Sequence, residues 1–93
     1  MNGYVPSEFY LGQNYPNPFN EKTTIKYCVP YKTRVKITIH NSEGNMIEKL
    51  VDEVKEAGTY EVKFNGNILS SGEYFYIIKA EDFIQTKTML LLK

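Results

Sequence analysis

The sequence predicts an all-β domain, a sandwich of about seven antiparallel strands, and three observations carry that expectation. From Thr23 onward apolar and polar residues alternate with a period of two, the pattern of strands that keep one face on a core. Gly, Pro, Asn and Ser gather between those runs at near-regular spacing, where turns need them. The chain has 93 residues, 42% of them hydrophobic, which is the length of one domain. At this size roughly 65% of the unfolded surface is buried on folding, leaving about 5,500 Å² exposed, so the core is thin but real.

The residues Met1 to Glu8 read as a polar tail or the remnant of a linker, and the domain proper as Phe9 to Lys93. Phe9–Gln13 is the first expected strand. It leads into Asn14-Tyr15-Pro16-Asn17-Pro18-Phe19-Asn20, where each proline fixes its own φ and drives the residue before it out of the helical region. Two prolines separated by one asparagine therefore hold an ordered turn, and Phe9, Leu11, Tyr15 and Phe19 supply apolar surface to lay it against a core. Thr23–Val29 alternates Ile25, Tyr27 and Val29 against Thr24, Lys26 and Cys28 until Pro30 ends the run. Val35–His40 alternates as cleanly, and Asn41-Ser42-Glu43-Gly44 places Asn and Gly where a hairpin loop wants them.

In the next segment Ile47, Leu50, Val51 and Val54 stand at i, i+3, i+4 and i+7, which by periodicity alone is an amphipathic helix. In an otherwise all-strand chain a strand over Met46 to Leu50 or Val51 followed by a charged loop is favoured, with a helical turn inside residues 50–57 as the alternative. Thr59–Asn65, Tyr74–Ala80 and Phe83–Leu92 complete the seven, the last two apolar on both faces. Short strands of this number over about 90 residues argue an immunoglobulin-like β-sandwich, similar in architecture only, because the chain has one cysteine and no tryptophan.

Eleven basic and eleven acidic residues, well mixed, leave no electropositive stripe for nucleic acid and no polybasic patch for a membrane surface. The longest apolar run, Met89-Leu90-Leu91-Leu92, is far short of the roughly 20 residues that span a bilayer, so no membrane insertion is expected. Met1-Asn2-Gly3-Tyr4 lacks the charged and apolar regions of a secretory signal, which suits either a cytoplasmic protein or a piece of a longer exported one. Catalysis finds little support. His40 is the only histidine and falls on the outward face of its strand beside Lys36 and Thr38. Cys28 shares its outward face with Lys26 and Thr24. No zinc, P-loop, dinucleotide or calcium-loop spacing is present, and neither enzyme activity nor a cofactor is expected. Tyr27, Tyr60, Phe64, Tyr74 and Tyr76 occupy the inward phase and read as core, whereas Phe75 and Ile77, with Leu90 or Leu92, are placed for an apolar outer patch.

The order of the motifs resembles the type A C-terminal sorting domains of cargo proteins exported by the type IX secretion system of Bacteroidetes and related phyla. The resemblance is carried by Phe9 to Asn20, by Thr23 to Tyr27 with Val29-Pro30, and by Val35 to Ile39 with Asn41 and Gly44. It continues through Leu50-Val51, Ala57-Gly58-Thr59-Tyr60-Glu61-Val62, Ser71-Gly72-Glu73-Tyr74-Phe75-Tyr76, and the terminal Lys87 to Lys93. Immunoglobulin-like flagellar hook-capping proteins share the Gly-x-Tyr spacing but generally not the Asn-Pro-Phe opening. Phe64 and His40 depart mildly from the tryptophan and tyrosine usual in the family.

The resemblance implies a domain that is an address and not an enzyme. It is read in the periplasm by an outer-membrane translocon and often removed by a sortase-like peptidase, while an upstream cargo domain goes to the cell surface or the medium. The candidate recognition surface is the turn Pro16, Asn17, Pro18 and Phe19 together with Lys87, Met89, Leu91 and Lys93 of the last strand. If that strand is an edge, it offers unpaired backbone for β-augmentation, with Lys87 and Lys93 guarding it against aggregation. The turn and the strand are also placed simply to hold the sandwich together. The competing readings are an accessory module that binds glycan or a cell surface, and a structural spacer.

Overall fold

The computed structural model describes residues 5–93, and Met1–Tyr4 of the expected tail lie outside the described residues. The strands are β1 (Tyr10–Leu11), β2 (Lys22–Val29), β3 (Thr33–Asn41), β4 (Met46–Lys55), β5 (Gly58–Asn65), β6 (Gly72–Ala80) and β7 (Phe83–Leu91). They form two antiparallel sheets, one ordered β1-β2-β5 and the other β4-β3-β6-β7. In immunoglobulin lettering these are A-B-E and C′-C-F-G, so the expected immunoglobulin-like sandwich is what the chain forms. Among the described residues no helix is long and apolar enough to cross a membrane.

The alternation read from the sequence sets the core. Ile25, Tyr27 and Val29 of β2 and Phe64 of β5 face Val35, Ile37 and Ile39 of β3, Tyr74, Tyr76 and Ile78 of β6, and Met89 and Leu91 of β7. Folding leaves 5649 Å² accessible, close to what size scaling gives for this mass. One end of the sandwich is closed by Phe9, whose ring stacks on Phe83 at 5.2 Å and meets Tyr31 edge-on at 5.4 Å. Pro6 is buried beyond it, so the described part of the tail lies against the domain.

The segment after the first hairpin is a strand throughout, not a strand followed by a loop or a helical turn. Val51 stands opposite Ile37 and Lys49 opposite Thr38, leaving Leu50 as an extra residue; Glu48 faces Ile39 and Met46 faces His40, leaving Ile47 extra. These are two β-bulges, and each shifts the inside–outside phase by one position. A period of two interrupted twice imitates a period of 3.6, which is why Ile47, Leu50, Val51 and Val54 fall at helical spacing. The hairpin before it is as expected: Gly44 has φ 89°, and the Asn41 side-chain oxygen accepts from the backbone N–H groups of Glu43 and Asn45, each at 3.0 Å.

Two Gly-x-Tyr motifs do the same local work. The Tyr60 hydroxyl donates to the Glu56 carbonyl at 2.7 Å, and the Tyr74 hydroxyl to the Ser70 carbonyl at 2.8 Å. Each tyrosine at the start of a strand ties back to the residue four earlier, the tyrosine-corner arrangement of immunoglobulin-like folds.

The phase of β7 yields a direct test. Leu91 is 0% exposed and Leu90 is 38% exposed, although both lie in one apolar run. Leu91→Ala should cost about 2–5 kcal/mol and Leu90→Ala less than about 1 kcal/mol, as read from urea midpoints.

Candidate functional site

The densest set of side-chain hydrogen bonds lies where the chain leaves β1. Asn14 is 2% exposed, and its backbone N–H donates to the Tyr76 hydroxyl at 2.8 Å while that hydroxyl donates to the Gly12 carbonyl at 2.7 Å. The Asn14 amide nitrogen donates to Thr23 Oγ1 at 3.0 Å and to the Pro16 carbonyl at 3.2 Å, and Thr23 Oγ1 donates to the same carbonyl at 2.9 Å. Gln13 Nε2 bridges the Asn14 side-chain oxygen and the Thr88 carbonyl of β7, each at 2.7 Å. Tyr15 exchanges both backbone bonds with Thr24 at 2.9 Å. A proline-rich segment that cannot join a ladder continuously is thus held by side chains instead. Both X-Pro bonds in it, Tyr15–Pro16 and Asn17–Pro18, are cis.

The segment then reaches the end of β7. The Phe19 N–H donates to the Leu90 carbonyl, the Leu92 N–H donates to the Phe19 carbonyl, each at 2.9 Å, and the Asn17 side-chain oxygen accepts from the Leu90 N–H at 3.0 Å. The Phe19 ring drops into the core and meets Phe64 edge-on at 6.3 Å. The two regions singled out in the sequence, 75 residues apart at Gln13 and Thr88, therefore form one continuous surface. Pro16, Pro18, Asn20 and Leu92 line a shallow cleft on it of about 350 Å³, floored by Phe19.

The candidate residues divide. Pro16, Asn17, Pro18 and Lys93 are exposed, and Lys87, opposite Tyr76, is half-buried. Met89 and Leu91 are 1% and 0% exposed, so they support the surface from beneath, and Phe19, 2% exposed, reaches it only as the floor of the cleft. Parity explains the correction: in a four-residue apolar run the outward side chains are Leu90 and Leu92. The expectation of an unpaired terminal strand also needs correcting. β7 is a sheet edge, but its last turn of ladder, at Thr88 to Leu92, is already covered by Gln13, Asn17 and Phe19. Lys93 does not guard an open edge either; its N–H donates to Ser71 Oγ at 2.8 Å and its ammonium to the Asn67 carbonyl. Asn14, Thr23 and Tyr76 were missed as organising residues, and the signal was a polar side chain at Thr23 and a phenol at Tyr76 on inward phases.

The remaining reactive groups are dispersed. His40 lies on the outward face as expected, its ring held between Thr38 Oγ1 at 2.9 Å and the Gly44 carbonyl at 3.3 Å. Cys28 Sγ lies 3.6 Å from Thr59 Oγ1. Desolvation acts upward on the Asp52 carboxyl, but hydrogen bonds from Lys49 and Arg34 hold it below its usual value. Among the described residues no cluster of His, Cys, Asp and Glu is arranged to hold a metal ion.

The fold and this geometry define an immunoglobulin-like module with a turn latched over the end of its last strand. The model of the secretion system C-terminal sorting domain matches residues 13–92, and the chain belongs to that family. It is a C-terminal sorting signal for type IX secretion, a role that involves an upstream cargo and export toward the cell surface or extracellular space. The family is non-catalytic. No curated protein matches the chain significantly.

Burial pushes the Tyr76 hydroxyl up to about 12, opposed by the Asn14 hydrogen bond and aided by nearby Tyr10; burial does the same for Tyr27, with Tyr60 and Glu53 adding. Because the folded values lie above the ordinary 10.0, this stabilisation is intact below pH 10 and is lost as pH rises toward 12. Tyr76→Phe should cost about 1–3 kcal/mol at neutral pH, by stranding the Asn14 N–H and Gly12 carbonyl. It should also flatten the alkaline fall in stability, as followed by denaturant titration across that window.

Proposed function

We propose that the surface joining the Pro16–Phe19 turn to the end of β7 is the part of the address read by the outer-membrane translocon. The cargo reaches the translocon through the periplasm, and a sortase-like peptidase removes the domain after passage. The segment ahead of Phe9 links it to the cargo. The observation that carries this reading is the pairing of Phe19 and Asn17 with Leu90 and Leu92, which fixes an exposed proline pair beside the exposed Leu92. Rigid prolines and a pinned backbone lose little entropy on docking, so a small surface is enough for specific recognition. Pro16, Asn17, Pro18, Leu92 and Lys93 make the contact; Phe19, Met89 and Leu91 keep it in shape.

Removing Met89–Lys93 outright would take two core side chains with it and confuse recognition with unfolding. Asn17→Asp keeps the acceptor for the Leu90 N–H, and Leu92→Glu alters a side chain that is 51% exposed. With a fluorescent passenger fused ahead of the chain in a type IX-competent host, the double variant should leave the unfolding midpoint within about 1 kcal/mol of the parent. Export of the passenger should fall to background. Mass spectrometry of the parent's exported passenger should find this domain gone. Normal export of the double variant would remove this surface from the reading.

A further inference from the structure

On the β1-β2-β5 face, beside the latched turn, we infer a second binding site, a cleft for a saccharide between Tyr10 and Tyr15. The cleft has a volume of about 370 Å³ and is lined by Tyr10, Gly12, Gln13, Tyr15, Thr24, Lys26 and Glu61. Its walls are aromatic. Tyr10 is 51% exposed and Tyr15 80%. The Tyr10 ring lies across Gly12: a Cβ there would stand 3.2 Å from both Cε2 and the hydroxyl. Glycine at this position therefore sets the ring in place and leaves its other side to solvent.

The floor is polar. Lys26 and Glu61 face each other across β2 and β5. Neither forms an ion pair with a described residue, the pairs being Lys32–Glu56, Arg34–Asp52, Lys49–Asp52 and Lys55–Glu53. An ammonium donor and a carboxylate acceptor thus stand side by side with the Thr24 hydroxyl, which also has the Lys63 ammonium 3.5 Å away.

A pyranose presents an apolar face of C–H groups and a rim of hydroxyls that both donate and accept. The apolar face matches an exposed tyrosine ring, and the rim matches a Lys–Glu pair. A few polar groups set orientation while aromatic area supplies affinity.

The test uses the 93-residue chain, labelled with nitrogen-15 and titrated with N-acetylated chitotetraose, cellotetraose, mannotetraose and maltotetraose. At about 10 mM, enough to saturate a millimolar site, at least one should shift the amides of Tyr10, Gly12, Tyr15, Thr24, Lys26 and Glu61. Tyr15→Ala and Glu61→Gln, both at exposed positions, should each weaken that binding at least several-fold with the rest of the spectrum unchanged. Absence of shifts with all four sugars, shifts centred elsewhere, or binding undiminished in both variants would overturn the assignment. So would a proline-rich peptide that moves the same amides when no sugar does.

Discussion

The arrangement hangs on a buried hydroxyl. Tyr76 reaches across from β6 to take the Asn14 N–H and to give its own proton to the Gly12 carbonyl. Both backbone groups belong to a segment with two prolines that leaves its sheet after two residues, and without the phenol they would be buried and unpaired. With them satisfied, the Asn14 side chain is aimed at Thr23 and Pro16, the turn closes, and Phe19 arrives over the core beside Leu91. The β7 end is then paired on both sides. One hydrogen-bonded node in the core thereby decides where a surface turn sits.

Most of the sandwich was legible because alternation is a direct readout of which face is wet. Seven strands, the Asn41–Gly44 hairpin and the inward set Ile25, Tyr27, Val35, Ile37, Ile39, Phe64, Tyr76 follow from it. It failed where phase was hidden. In β4, bulges at Ile47 and Leu50 rewrote a two-residue period as a helical one. In β7, Leu90 and Leu92 face outward as the alternation expects, and by the same parity Met89 and Leu91 belong to the core and not to the candidate surface. For Phe19 the sequence offers both a core role and a place in the candidate turn, because a turn has no period; the ring, 2% exposed and edge-on to Phe64, takes the first. The node at Asn14 joins residues 62 apart, which no local pattern records.

The motifs that carried the family resemblance acquire physical roles. Gly58 and Gly72 precede Tyr60 and Tyr74 by two residues, and each tyrosine returns its hydroxyl to the chain four residues earlier. These corners anchor β5 and β6 at their starts. Gln13 and Asn14 make the latch, and Pro16 contributes its carbonyl to it. Family membership and structural necessity thus fall on many of the same residues, so a motif match by itself does not mark a recognition residue.

Separating the two requires asking which side chains the fold does not use. Along the segment from Tyr10 to Phe19, Leu11, Asn14 and Phe19 are buried and engaged. Asn17 is exposed but holds the Leu90 N–H, whereas Tyr10, Tyr15, Pro16 and Pro18 remain exposed and face two different surfaces, the tyrosines the β1-β2-β5 face and the prolines the end of β7. The latch therefore fixes both surfaces with one set of bonds. On the proposed reading, a display whose geometry is tied to Tyr76 is lost with the core, so whatever dismantles the fold also erases the address.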